Sequence, residues 1–250
     1  MPPKKALVTG ASDGIGREFA IQLDKEGWQV TAVARNEARL KELVAGLTQR
    51  GQLHVADLST PEGLATTMAE LKSQHYDLLV NNAGFAVRGK FLDAPLDKHL
   101  NMLDLNVKAL VALAYAFLGQ AKEGDALINV SSGLAFLPMP ILGLYSASKA
   151  LVTSFSESLW QEQKSKGVYV MGLCPGITET SFNRNAGGGE ISAPRVMVQT
   201  PQEVVAKAMR ALKARKNPTV SSGAMNALFA FMARLRSRKS VVSQMGAMKA

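Results

Sequence analysis

The stretch Lys5-Ala6-Leu7-Val8-Thr9-Gly10-Ala11-Ser12-Asp13-Gly14-Ile15-Gly16 decides how this chain folds. Residues 5–9 have the length and character of a short buried strand, and glycines follow at once at positions 10, 14 and 16. Residues 17–26 then place Phe19, Ala20 and Leu23 at helical spacing. A strand that turns through glycines into a helix lets the backbone approach a pyrophosphate, which rests on the helix N-terminus. The spacing is Gly-x-x-x-Gly-x-Gly and departs from the commoner Gly-x-Gly-x-x-Gly fingerprint. Taken alone, such a loop fits a tight turn as well as a nucleotide site.

Outward from this unit, apolar runs at 28–34, 53–56, 76–80, 126–130 and 168–173 read as strands, with a short last one at 219–221. Between them, 36–49, 61–73, 96–122, 145 to about 166, and 202–213 read as helices. The strands are continuous apolar runs, as expected for a parallel sheet covered on both faces. No repeat or linker separates two units. The expectation is one α/β domain over residues 1–222, a loose substrate lid at about 180–200 containing Gly187-Gly188-Gly189, and a basic extension over 223–250.

The chain has 250 residues, 47% of them hydrophobic and 20% charged, ordinary values for a globular protein. A single cysteine, Cys174, excludes an intramolecular disulfide and fits a reducing compartment. The net charge of +9 is uneven. Ten of the 29 lysines and arginines lie after residue 203 with no acidic partner, so the first 203 residues hold 19 basic against 20 acidic groups. A nucleic-acid-binding fold more often spreads its basic face over the body, and no nucleic acid is expected. The opening Met-Pro-Pro-Lys-Lys precedes too short an apolar run for a signal peptide, which suggests a cytoplasmic protein. The uncharged run 126–148 has the length of a membrane span, but Asn129, Pro138 and Pro140 break it into strand, loop and helix start.

The chemistry sits in that uncharged run. It offers the Ser132 hydroxyl, the Tyr145 phenol 13 residues later, and the Lys149 ammonium four residues beyond. On a helix, the i,i+4 spacing sets Tyr145 and Lys149 on one face. The ammonium is then expected to lower the phenol pKa from about 10. At the end of the second strand, where an acidic residue would take a ribose 2′-hydroxyl, stands Arg35, followed by Asn36. A guanidinium there suits a 2′-phosphate, so NADP is favoured over NAD. Ser12 and Arg17 could add phosphate contacts. His54, His75 and His99 have no partners at metal-ligand spacing, and no metal site is expected.

Together, Thr9-Gly10-x-x-x-Gly14-x-Gly16, Asp57, Asn81-Asn82-Ala83-Gly84, Asn106, Ser132, Tyr145-x-x-x-Lys149 and Pro175-Gly176 resemble the short-chain dehydrogenase/reductase family. The resemblance covers about residues 5–180 and rests on the joint order and spacing. It implies a single Rossmann-type doubly wound parallel sheet of about seven strands and hydride transfer with NADP(H). It also implies cofactor contacts from Gly10, Ser12, Asp13, Gly14, Ile15, Gly16, Arg35, Asn36, Asp57, Leu58, Asn82, Ala83, Gly84, Pro175, Gly176, Thr178 and Thr180. Tyr145 would be the proton donor, and Lys149 would support it and hold the nicotinamide ribose. Ser132 would steady the carbonyl oxygen, with Ser131 as its rival. Asn106 would bend its helix and hold a relay water.

Residues 134–142, Leu144, Phe85, Ala86, Val87 and Phe182 are mostly apolar and either line a pocket for a hydrophobic carbonyl compound or its alcohol, or bury the loop. A 3-oxoacyl thioester and a lipid-like ketone are candidate substrates. Leu100, Leu103, Val107, Leu110, Val111 and Ala114 form an apolar helix face that serves core and, by the resemblance, a homodimer or homotetramer interface. In the extension, Met225, Leu228, Phe229, Met232 and Leu235 form a helical stripe beside Arg234, Arg238 and Lys239, with Arg236 interrupting it. Three readings stay open: a cover for the pocket or a neighbouring subunit, a peripheral membrane contact, or a dock for an acidic carrier protein. A catalytically silent NADP-binding regulator and a membrane- or partner-associated scaffold are the alternatives to an enzyme.

Overall fold

The apolar runs become buried parallel strands. The computed structural model describes residues 3–188, 193–223, 228, 231–233 and 235–247. The main sheet takes in β1 (Lys5–Thr9), β2 (Gln29–Ala34), β3 (Gln52–Val55), β4 (Leu78–Asn81), β5 (Ala126–Val130), β6 (Tyr169–Cys174) and, at its edge, Thr219–Ser221. Its order is β3-β2-β1-β4-β5-β6 followed by that edge strand, all seven parallel. The order reverses between β1 and β4, which opens a crevice at their carboxyl ends.

Helices cover both faces. On one, α1 (Gly14–Lys25), α2 (Glu37–Ala45) and the helix Pro201–Ala214 bury Phe19, Leu23, Leu40 and Val205 against the sheet. On the other, α3 (Pro61–Ser73), α5 (Leu110–Leu118) and α6 (Gly143–Gln163) bury Leu71, Leu113, Phe117 and Leu159. Gly16 allows α1 to start so close to the sheet: a Cβ there would lie 2.4 Å from the Asn82 amide and from the Gly10 carbonyl. The turn is clasped by the Thr9 hydroxyl, which accepts the Asn82 and Ala83 N–H groups at 2.9 and 3.0 Å.

The helix expected over 96–122 is divided. Regular helix α4 (Leu96–Leu103) passes into a wider π turn, Asp104–Ala109, and then into α5, which ends at Leu118. The stretch 96–118 is long and apolar enough to cross a membrane, yet Met102, Leu113, Ala114 and Phe117 are buried within the fold. The predicted apolar face also divides: Leu110 and Ala114 are buried, whereas Leu100 and Val111 are exposed. The expected loose region 180–200 is more ordered in its described part. Ile177–Thr178 pairs with Val198–Gln199, and a short helix, Phe182–Asn185, lies between them. Gly189 lies outside the described residues, as do Met225, Phe229 and Arg234 of the extension.

A buried polar ladder joins the sheet to α6. The Asn81 amide donates to the Asn129 carbonyl oxygen at 3.1 Å, and the Asn129 amide donates to the Ser156 hydroxyl at 3.0 Å. Asn129→Ala leaves the Asn81 amide and Ser156 short of a partner. It should lower unfolding free energy by about 1–3 kcal/mol, measured as a lower urea midpoint at unchanged slope.

Candidate active site

Every site residue expected from the sequence falls at the carboxyl edge of the sheet or on the helices that rise from it. Gly10, Ser12, Asp13, Gly14, Ile15 and Gly16 join β1 to α1; Arg35 and Asn36 follow β2; Asp57 and Leu58 follow β3; Asn82, Ala83 and Gly84 follow β4. Ser132 follows β5, Pro175 and Gly176 follow β6, and Thr178 and Thr180 lead into the short helix Phe182–Asn185. Tyr145 and Lys149 lie one turn apart near the start of α6.

At the start of α6 the Ser132 hydroxyl faces the Tyr145 phenol closely enough to favour its ionised form. Ser132 also caps the next turn, accepting the Leu134 N–H at 3.1 Å. Ser131 points away into the core, where its hydroxyl donates to the Lys149 carbonyl at 2.7 Å and pairs with Thr153. The Lys149 ammonium donates to the Val130 carbonyl at 2.8 Å and stands 5.8 Å from the centre of the Tyr145 ring. Gly84 lies between that ammonium and the Asn106 amide.

The expected lowering of the phenol pKa is not found. Burial pushes Tyr145 up to about 12, and the Ser132 hydrogen bond only partly offsets this. Burial likewise lowers Lys149 to about 8. The spacing correctly places amine and phenol on one face, but the amine bonds a carbonyl, and removal from water dominates both groups. Backbone engages the Asn106 side chain at both ends: its amide donates to the Phe85 carbonyl at 2.8 Å and its oxygen accepts the Phe85 N–H at 3.0 Å. The helix does open around it, since Asn106 lies inside the π turn.

An apolar cluster roofs this group: Ala86, Val87, Met102, Tyr145 and Ala186, with Phe85, Leu134 and Leu142 packed on it. Phe182 stacks obliquely on the phenol, ring centres 5.7 Å apart. The Arg88 N–H reaches the Ala186 carbonyl at 3.2 Å, which ties the end of the short helix Phe182–Asn185 to the loop after β4.

A cleft of about 680 Å³ lies beside the glycine loop, its charged lining being Asp13, Arg17, Arg39, Glu42, Glu179 and Arg184. Arg17 pairs with Glu42 at 3.1 Å and Arg39 with Asp13 at 3.5 Å, both on the surface. Such exposed pairs are weak, and around a helix N-terminus a phosphorylated nucleotide can compete for the guanidiniums. Thr180 covers Gly14, occupying the space a Cβ there would need, and the Ser181 hydroxyl bonds the Asp13 carboxylate. Arg35 is largely exposed and meets Asp57 at only 3.5 Å, a weak surface pair. Asp57 is held below its ordinary pKa by the Ser59 hydroxyl and N–H, aided by Arg35, despite the opposing effect of burial. Asn36 caps α2 through its side-chain oxygen, and the Thr178 hydroxyl donates to the Gly176 carbonyl.

Sequence reasoning did not single out Arg39, Ser181 or Arg184. Arg39 carried a signal, because it lies four residues after Arg35, while Ser181 and Arg184 reach the cleft only through the placing of the short helix Phe182–Asn185. Nor did sequence spacing show that His75, Asp77 and Asp125 come together, with His75 Nε2 3.2 Å from Asp125 Oδ1. They meet at the amino edge of the sheet because the starts of β4 and β5 are adjacent. Each carboxylate there accepts a backbone N–H, from Lys5 and Lys122 respectively.

Comparison with known proteins gives the same lineage along most of the chain. The family model described as short chain dehydrogenase matches residues 4–190. The probable oxidoreductase EphD of Mycobacterium tuberculosis is 34% identical over 188 residues, which span 72% of this chain but 32% of EphD. A very-long-chain 3-oxoacyl-CoA reductase of Anas platyrhynchos is 33% identical over 215 residues, 82% of this chain and 67% of that protein. A short-chain dehydrogenase from Sphingobium yanoikuyae, solved in complex with NADPH, superposes with a TM-score of 0.82 at 27% identity, covering 99% of this chain and 96% of its own.

The burial of Lys149 has a consequence for stability. Its pKa is about 8 folded against an ordinary 10.5, so between these values the unfolded chain holds the extra proton. Stability contributed by this group therefore rises with pH from about 8 to about 10. In Lys149→Met the rise should be missing. The gap in thermal midpoint between wild type and variant should change in favour of wild type over that range, whereas a constant gap would mean that the amine is solvated.

Proposed function

The chain belongs to the short-chain dehydrogenase family, and we propose that it is an NADP(H)-dependent oxidoreductase that reduces the carbonyl of a hydrophobic substrate. The observation that carries this reading is the meeting of the Ser132 hydroxyl, the Tyr145 phenol and the Lys149 ammonium beneath an apolar roof. The NADPH complex of the Sphingobium relative supports the choice of cofactor. The name of the duck relative supports a 3-oxoacyl thioester as substrate class, with a lipid-like ketone as the neighbouring possibility.

When bound, the nicotinamide supplies the hydride. The chain's own residues then handle the oxygen. Ser132 donates a hydrogen bond to the substrate carbonyl, and Tyr145 gives its proton to the oxygen as negative charge grows there. A phenol whose pKa is pushed up to about 12 holds its proton at neutral pH, and an alkoxide is basic enough to take it. Lys149 holds positive charge near the phenol and the ribose hydroxyls. Asn106 fixes the Phe85 backbone and keeps the π turn open beside Lys149.

On the adenosine side, Gly10 to Gly16 cradle the pyrophosphate while Arg35, joined by Arg39, receives the 2′-phosphate. Asp57 and Leu58 border the adenine, Asn82 to Gly84 and Pro175-Gly176 flank the cofactor, and Thr178 and Thr180 approach the nicotinamide amide. The exposed Leu100, Val111, Tyr115 and Leu151 on the two long helices support assembly as a homodimer or homotetramer. Residues 1–222 form the catalytic unit and 223–250 the extension, and nothing in this reading requires a compartment other than the cytoplasm.

Ketones and 3-oxoacyl thioesters of increasing chain length, assayed with NADPH and NADH, should show turnover that rises with apolar length and prefers NADPH. An absence of turnover with retained NADPH binding would favour the regulator instead. Tyr145→Phe should reduce kcat about a hundred- to ten-thousandfold while NADPH affinity stays near wild type; a parallel loss of both would remove Tyr145 as the acid. Arg35→Asp should weaken NADPH binding about ten- to a hundredfold and leave NADH little changed. An unaltered preference would take Arg35 out of the phosphate site.

A further inference from the structure

The C-terminal extension has two parts of opposite character. The last helix, Arg238–Ala247, buries Val241 and Met245 and rests on the turn Pro140–Leu142, where Gly246 faces Pro140. Ahead of it, Leu228, Phe231, Met232 and Leu235 follow the i, i+3, i+4, i+7 spacing of one helical face, and residues 228 and 231–233 are helical. Such a face ordinarily turns toward a core. Here the four side chains are 49, 57, 46 and 68% exposed.

Positive charge borders this face. Arg236, Arg238 and Lys239 are exposed, and none of them forms an ion pair among the described residues. The guanidinium of Arg236 bonds the neutral Gln244 and Ser240 side chains, which leaves its charge uncompensated. No aspartate or glutamate follows Glu203 in the sequence.

We propose that the exposed side chains of Leu228, Phe231, Met232 and Leu235, with those of Arg236, Arg238 and Lys239, dock this protein on an anionic lipid surface, the first four entering the headgroup boundary and the last three meeting lipid phosphates. Charge complementarity and apolar exposure select the same occupant. An acidic protein would have to supply an apolar groove in register with its carboxylates to cover the four bulky side chains as well. A lipid interface uses both, because apolar burial and electrostatic attraction add there. The geometry carries a further consequence, which rests on the reductase reading. Leu142, in the turn beneath the last helix, packs on the apolar roof over Tyr145, so docking sets that side of the site toward the lipid.

The test is co-sedimentation of the full chain with phosphatidylcholine vesicles, with and without phosphatidylglycerol, at low and high salt. Binding should require phosphatidylglycerol and weaken with salt. Arg236→Gln, Arg238→Gln and Lys239→Gln combined should lower partitioning about a hundredfold. Phe231→Ser with Leu235→Ser should lower it at least about tenfold. Both variants should bind NADPH as wild type does, which shows that they are folded and keeps this result separate from the fate of the reductase reading. Failure to sediment with anionic vesicles would overturn the proposal, as would binding indifferent to both variants. Retention on an immobilised acidic carrier protein without vesicle binding would overturn it in favour of that partner.

Discussion

Lys149 lies 4% exposed inside the molecule, its ammonium donating to the Val130 carbonyl, its one acceptor among the described residues. Burying such a group is costly unless its surroundings are fixed. The fold fixes them by joining α6 to the sheet through polar groups that bond one another: Ser131 to the Lys149 carbonyl and Thr153, and Asn129 to Ser156. A slip of α6 by one turn would separate all of these pairs at once. The seam thus does more than bury apolar area, because it admits one register, and that register puts Tyr145 beside Ser132.

Much of the sheet was legible in sequence because its interior strands are buried on both faces, which makes them continuous apolar runs. Boundaries agreed best where local chemistry set them. Pro61 opens α3 behind the Thr60 cap, and both 126–130 and 219–221 matched their strands. They shifted where a cap acted earlier or later than expected: Asp13 starts α1 at Gly14, and Gly46 ends α2 short of residue 49. The π turn at Asp104–Ala109 was expected only as a bend, and only through the resemblance. Asn106 bonds both backbone groups of Phe85, 21 residues away, and no helical propensity encodes such a contact.

The site was legible to the same depth. Spacing gave which side chains share a helix face and which loops share an edge, so Tyr145 with Lys149, and Arg35 after β2, were found. Spacing carries no information on solvent. The sign of the Tyr145 shift was therefore misread, since burial outweighs the Ser132 hydrogen bond that opposes it. The Asp13–Ser181 bond and the His75–Asp77–Asp125 group were missed for a related reason: each is made by segments brought together only by the finished fold. The extension shows the same limit. One apolar pattern runs through it, yet Val241 and Met245 find a surface while Phe231 and Leu235 do not.

The two shifted groups have one cause. Burial pushes the phenol up to about 12 and the amine down to about 8, and both keep their protons at neutral pH. On the proposed reductase reading, a phenol in that state hands its proton only to an oxygen of comparable basicity, which a developing alkoxide is and a resting carbonyl is not. Proton transfer is thereby tied to the growth of negative charge on the substrate oxygen, and it is the burial of the two side chains, more than their identity, that imposes this coupling.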